Sequence, residues 1–173
     1  MYNLPHFKAG NQADIVAFMY AHPFITLCCV DANGHPVATH IPVLFVEREG
    51  ILYLQAHIMR KQEHTLALEQ NPNVLVIFSG EHAYISASWY AKQNIASTWN
   101  YRAVHAKGIV SFLDDEGLYD ILVNLTNHFE GTTESPAAVK YMSAEYVKEN
   151  MKAIVGFEIE ITAIQHVFKT KPE

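Results

Sequence analysis

The sequence is short of charge. Lys, Arg, Asp and Glu make up 17% of its 173 residues, against 50% that are apolar. So little charge leaves room for a large apolar face such as a subunit contact. The 12 Lys and Arg against 18 Asp and Glu, net −6, offer no long-range attraction to nucleic acid. Cysteine is nearly absent: Cys28 and Cys29 are neighbours, so on a strand they point to opposite faces and do not share a metal in a simple way. They suit small buried hydrophobes in a reducing compartment. There is no CxxC, HExxH, GxGxxG or GxxxxGK[ST], which leaves zinc, dinucleotide and P-loop chemistry without a motif. The opening MYNLPHFKAG has no basic region followed by an apolar run, and no uninterrupted apolar span reaches membrane length. A cytoplasmic protein with no membrane span is expected. No repeat, linker or low-complexity segment divides the chain, so a single domain over 1–173 is expected, burying about 70% of its unfolded surface.

What is present is a succession of short strands with a few helices. Asn11 is placed to cap a helix in which Ile15, Phe18, Met19 and His22 recur at helical spacing until Pro23 stops it. FITLCCV (24–30) reads as a strand and DANG (31–34) as its turn. VATHIPVLFVE (37–47) reads as one strand with Pro42 inside it. Proline cannot donate a ladder bond, so this strand is at an edge, bulged, or opened where something approaches its backbone. In ILYLQAHI (51–58), Leu52, Leu54, Ala56 and Ile58 alternate with Tyr53, Gln55 and His57, a barrel strand with a polar or ligand-facing side. A helix is expected over 60–70, with Arg60, Lys61 and His64 near its start, where cations oppose the macrodipole unless solvent or an anion meets them. VLVIFS (74–79) reads as a buried strand.

Residues 79–105 are the densest part of the chain. Tyr84, Trp89, Tyr90, Trp99 and Tyr101 stand among His82, Ser86, Ser88, Asn100 and His105, a surface suited to covering something flat or another subunit. AYISASWY (83–90) and VHAKGIVSFL (104–113) read as strands, with Lys92–Asn100 as a polar excursion between them. Beyond Asp114–Asp115 a helix carries the stripe Leu118, Ile121, Leu122, Leu125 and Phe129. Ser143 caps a short helix to about Met151. AIVGFEIEITAI (153–164) is the last strand, before the polar tail KTKPE. The pattern is mainly β with helices and fits a small antiparallel barrel of about six strands. His82 and His105 are the histidines best placed to touch a ligand or move a proton, and no catalytic triad or metal cluster is assigned.

THIPVLF (39–45), LYLQAHI (52–58), HAYISASWY (82–90), STWNYRAVHAKG (97–108) and IVGFEIEI (154–161) together resemble the PaiB family, FMN-binding negative transcriptional regulators, over essentially the whole chain. The resemblance implies the antiparallel FMN-binding split barrel of pyridoxamine-phosphate-oxidase-like proteins, a homodimer with FMN at the subunit boundary. It implies an isoalloxazine edge near Thr39, His40, Ile41 and Pro42, with Trp99, Asn100 and Tyr101 coming from the opposite subunit. Arg60 and Lys61, helped by His57, Gln62 or His64, would hold the phosphate. Family members usually have a small residue, an asparagine and a proline where this chain has Met59, Gln62 and Glu63, PSWY at Ala87–Tyr90, PTWNY at Ser97–Tyr101, and a longer basic end. These departures leave the fold in place and leave open another planar cofactor, including heme, or an empty site. The function expected is a flavin-binding dimer whose effect on DNA is weak or indirect, with a small flavin oxidoreductase or a heme-binding split barrel as alternatives. Lys140, Lys148, Lys152, Lys169 and Lys171 are the residues from which a local basic patch would form.

Overall fold

The computed structural model describes residues 1–2, 4–91 and 94–170. Asn11 Oδ1 accepts the Asp14 N–H and opens helix α1 (Gln12–Ala21), which ends before Pro23. Strands β1 (Phe24–Val30) and β2 (Pro36–Pro42) form a hairpin. Strands β3 (Leu44–Arg48) and β4 (Ile51–Met59) form a second. Helix α2 (Glu63–Gln70) leads to β5 (Asn73–Ile85) and β6 (Thr98–Phe112). Helices α3 (Asp115–Glu130) and α4 (Ala144–Met151) precede β7 (Ile154–Lys169).

One seven-stranded antiparallel sheet runs in the order β2-β1-β5-β6-β7-β4-β3. Its two outermost strands are separated in sequence by Val43 alone. The last rung of β2 pairs Pro42 with Phe24, Val43 N–H bonds Pro23 C=O, and the next residue, Leu44, already pairs with Gln55 on β4. The expected strand 37–47 is therefore two strands. Pro42, with no N–H to give, sits where the chain leaves one edge of the sheet for the other, and that exchange makes seven strands rather than six. The sheet curls until β2 lies beside β4 without a ladder between them. That unzipped seam is the split of the barrel.

The interior is filled by alternate residues of each strand: Leu27 on β1, Val76 on β5, Ala106 on β6, Ile159 on β7 and Leu54 on β4, all essentially inaccessible. Fully burying a side chain such as Phe157 contributes about 2–3 kcal/mol. Phe18 of α1 joins this core, its ring stacked on His22 and 5.1 Å from that of Phe168. Strand β7 keeps its place against β6 through a bulge between Lys107 and Gly108. Gly108 faces Ile161 and Lys107 faces Ala163, so Thr162 is the extra residue, and its hydroxyl bonds Lys107 C=O. The insertion flips the alternation, so that Phe157 and Ile159 point inward before it and Ile164 and Phe168 after it. A Cβ on Gly108 would stand 2.6 Å from Glu160 C=O, so only glycine fits there.

Several boundaries differ from expectation. Strand β5 runs on through a bulge between Ser79 and His82 to Ile85, and Ala87–Trp89 form a 3-10 turn rather than strand. Thr98, Trp99 and Asn100 are already strand, paired with Ile85, Tyr84 and Ala83, so the excursion is shorter than expected; its Lys92 and Gln93 lie outside the described residues. Helix α2 starts at Glu63, not at residue 60, because Lys61 is held at φ 58° and breaks the helix before it begins. Phe129 is exposed although Leu118, Ile121 and Leu125 of its stripe are buried. Lys169 is the last residue of β7, not the start of a tail, since Tyr101 pairs with it; residues 171–173 of that tail lie outside the described residues.

Candidate functional site

The backbone on the open side of the seam belongs to Thr39, His40, Ile41 and Pro42. Strand β2 has a ladder only on its β1 side, so half of its N–H and C=O groups point away from the sheet. Ile41 is buried in the barrel, and His40 is exposed and stacked on Phe24. What this segment offers a ligand is chiefly main chain. Across the seam, β4 ends at His57, Ile58 and Met59.

The turn from β4 to α2 is fixed at both ends. Arg60 N–H bonds Ala153 C=O, and the Thr65 hydroxyl donates to Met59 C=O. Between these anchors Lys61 is exposed and makes no ion pair among the described residues. Gln62 stands at the helix N-cap but gives no side-chain cap, so the first N–H groups of α2 keep their donors free. Arg60 is directed elsewhere, 3.7 Å from Asp115 at the start of α3, with both side chains substantially exposed.

Trp99, Asn100 and Tyr101 lie on the arm where β5 and β6 run on beyond the barrel. Trp99 packs its ring against His82 and Tyr84, and Tyr84, Trp89 and Trp99 are each at least half exposed. In one chain β1 and β5 separate β6 from β2, a spacing of about 14 Å at ordinary inter-strand distances. A single chain therefore does not bring Trp99–Tyr101 to Thr39–Pro42. His105 sits lower on the same strand, half-buried.

Among the described residues, three buried side-chain polar atoms have no hydrogen-bond partner: His57 Nδ1, His64 Nε2 and Asn100 Oδ1. All three belong to the residues singled out from the sequence. Burial pushes the His57 imidazole down from its ordinary value, and burial also lowers His64, against a small opposing pull from Glu63. Both rings are thus neutral at neutral pH, each with one nitrogen that can donate or accept. Leaving such an atom unpaired costs about 1–3 kcal/mol, and a ligand that pairs it recovers that cost. Backbone groups at the seam, an uncapped helix start, Lys61 and the two histidine nitrogens offer polar partners on β2, β4 and α2, while the Asn100 oxygen, an acceptor, stands apart on β6. Among the described residues no cluster of His, Cys, Asp or Glu could hold a metal ion.

Sequence reasoning missed Asp115 as the partner of Arg60, since nothing local marks an acid at the start of α3 as facing the end of β4. It also missed the surroundings of that pair, a cavity of about 750 Å³ bounded by α3, the turn Val139–Tyr141 and α4. Three of the late lysines, Lys140, Lys148 and Lys152, stand around it with Arg60.

A curled antiparallel sheet split along one seam, with helices at its ends and over its outside, is the split barrel of pyridoxamine-phosphate-oxidase-like proteins. The chain belongs to the family described as "Putative FMN-binding domain", which it matches over residues 1–163. It is 34% identical over 169 residues to the Protease synthase and sporulation protein PAI 2 of Bacillus subtilis, an alignment covering 98% of this chain and 81% of that one. Among solved structures, the flavocytochrome Anf3 of Azotobacter vinelandii superposes with a TM-score of 0.69 at 19% identity, covering 99% of this chain and 73% of that one. An FAD and heme binding protein of Mycobacterium smegmatis superposes at 0.68 and 19% identity, covering 95% and 75%. At such identities the likeness to these two is one of fold. Among the described residues, no helix is long and apolar enough to cross a membrane.

Proposed function

We propose that this chain is a single flavin-binding domain that forms a cytoplasmic homodimer and holds FMN across the subunit boundary. The observation that carries the reading is the coincidence of the three unpaired buried atoms, on His57, His64 and Asn100, with the residues the family resemblance assigns to the cofactor. The flavin's pyrimidine edge lies along the free backbone of Thr39–Pro42. Lys61, the start of α2 with Gln62 and His64, and Arg60 once released from its long contact with Asp115 hold the phosphate. The second subunit supplies Trp99, Asn100 and Tyr101, because its own copies are out of reach, and its exposed aromatic arm provides the apolar surface for the contact. When bound, FMN supplies one- and two-electron redox chemistry, and the chain binds and orients it.

The resemblance of the sequence to the PaiB family of negative transcriptional regulators supports a role in the control of gene expression. The net charge of −6 supports an effect that is weak or indirect rather than a tight grip on DNA. Purified protein is expected to take up FMN at one per chain and to sediment at twice the 19.5 kDa chain mass. Replacing Arg60 and Lys61 together by glutamine weakens that uptake. A monomer that takes up no flavin contradicts the reading. Titration against DNA upstream of its own locus at two salt concentrations tests the regulatory part, and tight, sequence-selective, salt-sensitive binding overturns the indirect role.

A further inference from the structure

Helix α4 turns one stripe toward the cavity it shares with α3: Ala144, Val147, Lys148 and Met151 follow each other at three- and four-residue spacing. Val147 is the buried member of this stripe, and Lys148 beside it is exposed, standing on the rim of the cavity. The other cations on the rim have ion-pair partners. Arg60 pairs with Asp115, Lys140 with Glu134 and Lys152 with Glu149. Lys148 has none among the described residues. The floor beneath it is apolar, with Val139 and Val147 buried, while Met142 and Tyr119 are each about two-fifths exposed in the wall.

We propose that this cavity is a second binding site, separate from the flavin region, for a small organic carboxylate with an apolar body. Its volume, about 750 Å³, lies within the range of small-molecule sites. Methionine side chains adapt to flat or branched apolar groups and favour contact with aromatic rings, which suits Met142 and Met151 to a ligand body beside Tyr119. The ammonium of Lys148 is the group left to meet a carboxylate. Asp115, Glu134 and Glu149 answer three of the four cations around the pocket, which leaves the charge of Lys148 as the local excess in a chain whose overall charge is negative. The site shares only Arg60 with the residues assigned to the flavin, and Arg60 already faces it through Asp115. The proposal stands whether or not FMN is the cofactor.

The probes are 2-naphthoate and its neutral isostere 2-naphthamide, titrated into the full chain with methyl-labelled methionine. Saturable shifts of the Met142 and Met151 methyl resonances with naphthoate are expected, at one site per chain and with naphthamide about tenfold weaker. Lys148→Gln is expected to weaken naphthoate by a similar factor and leave naphthamide unchanged, and Lys148→Arg to restore most of the loss. Saturating FMN leaves the methyl shifts in place. Absence of saturable shifts overturns the proposal, as does equal binding of the two probes or indifference to Lys148→Gln. Displacement of naphthoate by FMN also overturns it, because the cavity would then be part of the flavin site.

Discussion

Asn100 is a residue at which stability and the proposed flavin binding can be separated. On β6 the residue is half-buried, with Oδ1 buried and unpaired, so in the free protein that oxygen contributes desolvation cost without a bond in return. Replacing it with a leucine of similar volume removes that cost, and such exchanges are close to neutral or stabilising. Asn100→Leu is therefore expected to keep or raise the thermal midpoint while weakening FMN by about tenfold, the loss of one hydrogen bond to a buried ligand group. Differential scanning calorimetry and a flavin fluorescence titration on the same preparation read the two effects. A lowered midpoint with unchanged FMN affinity would make Asn100 a structural residue only.

Elements of this fold are set by points where the regular pattern breaks. Pro42 was legible as an irregularity because its missing N–H forbids a central strand, but the sequence does not say that the chain changes edges there. That follows only from the closing of the sheet. The bulge at Gly108 was not legible. VHAKGIVSFL alternates well enough to pass as an unbroken strand, and the inserted residue, Thr162, lies on a partner more than fifty positions away. In the same way Arg60, Lys61 and His64 were recognisable as a cationic group, yet the left-handed Lys61 that sends Arg60 toward Asp115 depends on Ala153 and Thr65 holding the turn. The aromatic arm was visible in composition, and its extent as a ladder, from Ser79 to Ile85 against Thr98 to Ala103, was not. Gly108→Ala tests the bulge. With backbone oxygen and Ile159 both in the way, the substitution forces a strand shift, and urea unfolding is expected to show a loss of about 1–3 kcal/mol. Unchanged stability would mean that β6 and β7 do not cross as closely as described.

At the scale of the whole molecule, half-buried histidines tie stability to pH. Burial lowers His57, His64, His105 and His166, in each case as the largest cause. The unfolded chain takes up protons near the ordinary histidine value of about 6.5, while the folded chain resists until lower pH. Stability is thus fully present above about pH 6.5, falls as pH drops from there toward the folded-state values, and levels off below them. Urea midpoints measured from pH 8 to 5 are expected to follow that course, and midpoints that rise on acidification would contradict it. The central claim is that one flavin site is built from two chains. Chains carrying Arg60→Gln with Lys61→Gln, and chains carrying Trp99→Ala with Asn100→Leu, each lack one half of it. Co-expressed with different tags and purified as mixed dimers, they regain one intact site per dimer and are predicted to bind one FMN at near wild-type affinity. Mixed dimers that bind no better than either parent would contradict a site shared between subunits.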